Sequence, residues 1–236
     1  MFLPSKKQPR MSTRDEKTVK LAVFQLKKFM HEPEFVNAFI SKGGLVELVA
    51  CIETASGNTL AYALTSMQSL LQADSDFQGL DVVFFSRVKR LRFLSKLLEL
   101  RDEQIIDILS THSLVNIIRP ATAILSQVVE MDPLFDAHRK ILYSYGFPVI
   151  WPLVSQQLEF FKMLALRLTT SDHILLTQII QLLVVLTRSA LHYQCLDFYE
   201  MCERQQIRQS IYVKGPAESP LKLADEVWVE ISDSTS

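Results

Sequence analysis

Residues 34–53 read E-F-V-N-A-F-I-S-K-G-G-L-V-E-L-V-A-C-I-E, residues 54–58 read T-A-S-G-N, and residues 59–72 read T-L-A-Y-A-L-T-S-M-Q-S-L-L-Q. Three short apolar helices separated by two breaks are legible here. Pro33 sits where a first-turn proline belongs, since its missing N–H has no intrahelical partner there. Gly43 fits a left-handed stop, which costs a residue without Cβ nothing. Leu45, Leu48, Val49 and Ile52 then follow at i, i+3, i+4 and i+7, one apolar face of a second helix. In the third, Leu60, Leu64, Met67 and Leu71 form a stripe, while Ala61, Ala63, Ser66 and Ser69 permit close contacts on other sides. One such unit carries more apolar face than it can bury alone, so stacked copies are expected.

Weaker copies follow. I-S-K-G-G-L-V-E-L-V at 40–49 matches Y-S-Y-G-F-P-V-I-W-P-L-V at 143–154, and Phe84-Phe85-Ser86-Arg87 stands in for Phe39-Ile40-Ser41-Lys42. The copies begin near Ile40, Phe85, Leu142 and Met201, an uneven spacing of about 45 to 60 residues, near or above the range of armadillo and HEAT repeats. The fold expected is all-α: an armadillo/HEAT-like right-handed helical solenoid, or α-α superhelix, over residues 15–213. Residues 1–14 read as a flexible basic arm. Residues 214–236 read as a polar tail, in which Val227 to Ile231 is either a lone strand or the truncated start of a further element.

Between these landmarks, Asp15 and Glu16 open a helix that carries Val19, Val23 and Leu26. Asp102 to Ser110 is short and ambiguous. Leu114, Ile118, Ala121, Leu125 and Val128 form an inner helix that Pro120 starts or kinks. Asp132-Pro133 marks the start of a helix ending at Gly146. Phe147, Ile150, Val154, Leu158, Phe161 and Leu168 read as one long helix bent by Pro152. Ser171-Asp172 caps the next helix, which is apolar all round and therefore buried. A last helix from Tyr193 to Tyr212 is more polar and reads as a closing element.

Composition narrows the function. With 48% apolar residues in 236, most of the chain folds; 6 glycines and 9 prolines suit helices better than β-turns. A net charge of −1 argues against nucleic acid or a polybasic membrane ligand as the partner of the whole chain. No secretory signal is visible in the first residues, and Ile174 to Leu186 is shorter than the roughly 20 residues of a membrane span. Cys51, Cys195 and Cys202 include no C-x-x-C pair and read as buried, inert thiols in a cytoplasmic setting. His31, His112, His138, His173 and His192 show no metal-ligand spacing, and no phosphate loop or nucleophile elbow occurs. No catalytic residue, metal or cofactor is expected.

Two features stand out as candidates for protein binding. Arg87, Lys89, Arg90, Arg92 and Lys96 form the densest basic run, suited to an acidic protein surface or an anionic head-group. An ordinary solvated face is the competing explanation. Trp151, beside a proline at a helix start, is either an interface anchor or a core residue.

The block at 35–72, with N-I-I-R-P-A-T-A-I-L-S-Q-V-V at 116–129, Q-I-I-Q-L-L-V-V-L-T at 178–187 and R-Q-Q-I-R-Q-S-I-Y at 204–212, resembles the armadillo-like helical domain of the ELMO (engulfment and cell motility) family. The resemblance spans about Lys20 to Val213. It implies a non-catalytic adaptor that works with DOCK-type exchange factors for Rac, engages small GTPases of the Rho and Arf-like classes, and serves actin remodelling, motility and engulfment of apoptotic cells. Peripheral membrane recruitment fits that setting. The family's ubiquitin-like domain has no room in the first twenty residues. Its pleckstrin-homology domain and proline-rich tail are not matched, so DOCK contact would run through parts missing here. The armadillo region of a diaphanous-type formin is the nearest alternative, and an enzyme with convergent carboxylates the other.

Overall fold

The computed structural model describes residues 16–76, 103–130, 134–135, 141–143 and 146–207. Helices α1 (Glu16–Phe29), α2 (Pro33–Ser41), α3 (Gly44–Thr54) and α4 (Gly57–Asp76) come first. After residues 77–102 follow α5 (Glu103–Thr111) and α6 (Val115–Val129). Then come β1 (Leu134–Phe135), β2 (Ile141–Tyr143), α7 (Phe147–Ser155), α8 (Leu158–Arg167), α9 (His173–His192) and α10 (Leu196–Arg204).

The stretch at 34–72 folds as its residues dictate. Pro33 occupies the first turn of α2. Gly43 takes φ +78° and is at once the stop after α2 and the N-cap of α3, a conformation that a side chain would strain. Leu45, Leu48 and Ile52 are buried along one face of α3. Helix α4 is buried on several sides, with Ala63, Leu64, Ser66 and Met67 fully enclosed. Its small residues allow neighbouring helices to approach closely.

The architecture is a row of inner helices with shorter helices leaning on it. Helix α1 packs on α4, α4 on α6, and α6 on α9. Each inner helix carries a companion from its own unit: α3 on α4, α5 on α6, and α8 on α9. Companions also meet between units, as α5 does with α8. This is the triplet logic of an armadillo stack, in which α2, α3 and α4 make one unit and α7, α8 and α9 another. Helix α10 closes the far end against α9. One core of buried side chains runs from Val23 and Met30 to Phe198, Cys202 and Ile207, as expected when units stabilise one another only by contact with neighbours.

Four expectations need correction. A helix is expected after Asp132-Pro133, but residues 134–135 and 141–143 form strands β1 and β2, which pair antiparallel with Leu134 opposite Tyr143 and Phe135 opposite Ile141. Branched and aromatic residues at 141–143 fit a strand better than a helix. The single helix expected across 147–168 is two helices, α7 and α8, broken at Gln156 and Gln157. Because of that break the apolar stripe changes phase, and Leu158 emerges 47% exposed. Third, the closing helix starts at Leu196 rather than Tyr193, after Gln194 turns with φ +52°. Lastly, Leu114 is the exposed N-cap of α6 rather than part of its stripe, while Pro120 is buried inside that helix. The sequence match of 143–154 to 40–49 aligns α7 with α3, and Gly146 does repeat the positive φ of Gly43. By packing, however, the counterpart of α3 is α8.

Helix α9 has the length and apolarity of a membrane span, 20 residues. It packs against α6, α7, α8 and α10 and buries Ile179, Leu182 and Leu186. That is the place of a core helix. The basic arm at 1–14, the first part of the second unit, His138 and the tail at 214–236 lie outside the described residues.

Candidate functional site

Because α1 and α3 both lie on α4, they leave a groove of about 930 Å³ between them. Its α1 wall carries Val19, Ala22, Val23 and Leu26, and its α3 wall Gly44, Leu48 and Cys51. Phe39 closes part of the α3 side. The backbone of Gly44 comes so near that a Cβ there would meet the Phe39 ring at 2.4 Å, so glycine at 44 lets that ring take its place. Thr18, Thr54, Ser56 and Thr59 add hydroxyls to the lining; Glu16 and Glu47 are its charged members, and no base is among them.

Around the groove, aromatic rings continue to the surface. Phe29 lies 5.3 Å from Phe35, which stacks on Phe39 at 6.1 Å. On α1, Phe24 sets an edge against Tyr62 at 5.1 Å and holds Lys28 over its ring. Leu21 and Val46 are more than half exposed.

At the other end Trp151 does not stand free. Its ring stacks on Phe147 at 5.9 Å and meets the edges of Phe198 at 5.7 Å and Phe161 at 6.4 Å. Such offset and edge-on pairs satisfy the ring quadrupoles. Trp151 is half-buried and ties α7 to α8 and α10. Arg87, Lys89, Arg90, Arg92 and Lys96 lie outside the described residues.

Two polar clamps join units, and the sequence shows the partner of neither across the interface. Arg167, buried at the end of α8, donates through Nη1 to the carbonyl of Leu109 and through Nη2 to that of His112 at 2.7 Å. These are carbonyls at and just beyond the C-terminus of α5, which lack intrahelical donors and favour a cation. Burial pushes the guanidinium down to about 10, so it stays charged at neutral pH. Its signal was present: Phe160, Phe161, Leu164 and Leu168 place Arg167 on the apolar stripe of α8.

Asp172 is the second clamp. It caps α9 by accepting from the Leu175 N–H at 2.9 Å and pairs with Arg119 of α6. The Leu175 N–H, followed by the hydrogen bond and charge of Arg119, holds its carboxyl below the usual carboxylate value against the opposing effect of burial. On acidification the unfolded chain therefore takes up the proton first. This contribution is complete above the ordinary carboxylate pKa and is lost as pH falls through the native one. An Asp172→Asn variant, which keeps a cap acceptor, is expected to melt below the parent at neutral pH. The gap in Tm narrows on acidification below about pH 4; a gap that holds constant across the acid limb contradicts the assignment.

The three thiols are poor nucleophiles. Burial pushes Cys202 up to about 12 and raises Cys51 and Cys195. Only Cys202 is fully buried; Cys51 lines the groove and Cys195 caps α10. Among the described residues no three His, Cys, Asp or Glu side chains gather where they could hold a metal.

With this geometry in place, comparison with known proteins becomes decisive. The model of the ELMO armadillo-like helical domain matches residues 34–215. The chain belongs to the ELMO armadillo-like domain family. The match begins just inside α2, so α1 lies ahead of the matched residues. Among solved structures, a designed armadillo repeat protein is similar with a TM-score of 0.51 at 13% identity, covering 92% of this chain and 94% of that one. An engineered protein is similar with a TM-score of 0.52 at 14% identity, covering 94% and 93%. Both likenesses concern the fold alone. Formin-C of Dictyostelium discoideum is 31% identical over 121 residues, 51% of this chain. The match covers 9% of the length of Formin-C.

Proposed function

We propose that this ELMO armadillo-like domain is a non-catalytic adaptor, part of an ELMO-type regulator of DOCK-family Rac exchange factors. It would act in the cytoplasm, in actin remodelling, cell motility and engulfment of apoptotic cells. The observation that carries this reading is the family match over residues 34–215. A helical stack also supports it, because such a stack keeps its own core closed while presenting a long outer surface to other proteins. The partner class proposed is a small GTPase of the Rho or Arf-like type, with DOCK contact made through other parts of the complete regulator and recruitment to membranes at the periphery. The basic run Arg87, Lys89, Arg90, Arg92 and Lys96 supports an acidic partner by charge alone. Trp151 supports contact less strongly, since its ring is half-buried among other aromatics.

A second reading rests on the likeness to Formin-C: a Rho-type GTPase-binding armadillo region of a formin, feeding actin nucleation. Capture of purified Rho, Rac and Arf-like proteins on the immobilised chain, each loaded with GTP or GDP, tests the shared core of both. The expected result is stronger recovery of at least one GTP-loaded protein than of its GDP-loaded form. Equal and negligible recovery in every lane would overturn the GTPase-adaptor reading. Preference for Rac or Arf-like proteins favours the ELMO role, and preference for Rho the formin role.

A further inference from the structure

We propose that the groove between α1 and α3 is the seat of the chain's own basic arm, residues 2–14, which lead directly into α1. The groove opens where the arm arrives. Glu16 and Thr18, at the start of α1, both belong to its lining. On the α1 wall that lining continues to Leu26, ten residue steps from Glu16, or about 15 Å at the helical rise. Extended backbone covers that length in about five residues. Residues 2–14 are therefore enough for a reversal at the mouth and a full pass along the trough.

The occupant is identified by its charge and by its tether. Residues 2–14 read F-L-P-S-K-K-Q-P-R-M-S-T-R, with Lys6, Lys7, Arg10 and Arg14 and no carboxylate. The groove contributes Glu16 and Glu47 and no base, so the two partners are opposite in sign. Phe2, Leu3 and Met11 supply apolar side chains for the Val23, Leu26 and Leu48 part of the trough. Pro4 and Pro9 bias the residues before them toward extended backbone, which lets a short segment span the groove. The segment at the other end of the chain fails the charge test. Residues 214–236 carry Glu218, Asp225, Glu226, Glu230 and Asp233 against Lys214 and Lys222. Because the arm is tied to the wall of its own seat, its effective concentration there is in the millimolar range, and contacts too weak to hold a free peptide suffice. The arm thus guards the groove, and any partner that enters must first displace it. Nothing in this docking depends on the GTPase reading.

Alkylation of the native full chain by a maleimide reads the docking directly, because Cys51 lines the groove while Cys195 caps α10 at the far end of the stack. Both thiols are half-buried, so Cys195 serves as the internal reference. The variants are Phe2→Ser with Leu3→Ser, and Lys6→Gln with Lys7→Gln. Both pairs lie ahead of the first helix and should leave the thermal melt in place. The expected result is that each variant speeds alkylation of Cys51 about tenfold, as a seat that is closed most of the time becomes open, while Cys195 keeps its rate. A Cys51 rate that either variant leaves unmoved would overturn the proposal. So would a rise shared by Cys195, because that reports general loosening and not an arm leaving its seat.

Discussion

Unfolding of an Arg167→Met variant in urea is expected to cost about 3 kcal/mol less than unfolding of the parent chain. Methionine fills much of the same buried volume, so the loss reports the two carbonyls left without a donor rather than an empty cavity. The Leu109 and His112 carbonyls sit at the end of α5, and the guanidinium reaches both from α8. Each is a hydrogen bond to a charged group, stronger than a neutral one and costly to leave unmade when enclosed. Arg167→Lys keeps the charge but lacks the planar fork, and should retain part of the stability. A loss under about 1 kcal/mol for Arg167→Met would mean that water reaches those carbonyls and that the clamp is incidental.

Phe198→Ala is the second large effect, at about 4 kcal/mol of unfolding free energy. Phe198 is fully buried at the centre of the aromatic cluster, with rings at 5.7 Å (Trp151), 6.2 Å (Phe147) and 6.4 Å (Phe161). Truncation removes the transfer energy of the ring and leaves a space that three stiff neighbours fill poorly. The same change should shift the fluorescence of Trp151 to longer wavelength as solvent enters. Equilibrium denaturation with a loss below about 1.5 kcal/mol would show that the closing helix is held by something else.

The stretch at 34–72 was legible because each local signal agrees with its neighbours. Pro33 starts a helix, Gly43 turns the chain, and the spacing of Leu45, Leu48 and Ile52 leaves one face for burial. The cap at Asp172 was equally clear, since a carboxylate before an apolar run has a specific N–H to accept. Where the reading failed, local signals were ambiguous or the feature was not local. Residues 141–143 carry Ile and Tyr, at home in strands, behind a helix-start signature at 132–133. Leu158 left the stripe because two glutamines, neither a strong breaker, end α7.

The groove could not be read at all. It arises from where α1 and α3 settle on α4, residues far apart in sequence, and no spacing within either helix announces it. Arg167 was half-legible: its place on an apolar stripe marks it as buried, but the carbonyls it serves lie more than fifty residues away. Trp151 reads as either an interface anchor or a core residue, because type and a proline neighbour do not say which rings surround it; Phe147, Phe161 and Phe198 give it a packing role.

All of these features hang on one arrangement, the continuous row α1, α4, α6 and α9 in which each helix stabilises the next. Hydrogen–deuterium exchange of the full chain measures it directly, since protection follows how much must open before an amide meets water. Helix α1 buries only Val23 along its length, whereas α4, α6 and α9 are enclosed. The expected result is a shared class of slowest amides in α4, α6 and α9, with α1 exchanging sooner. Slow exchange confined to one of the three, or rapid exchange in α6 while α4 and α9 stay protected, would contradict a single stacked core.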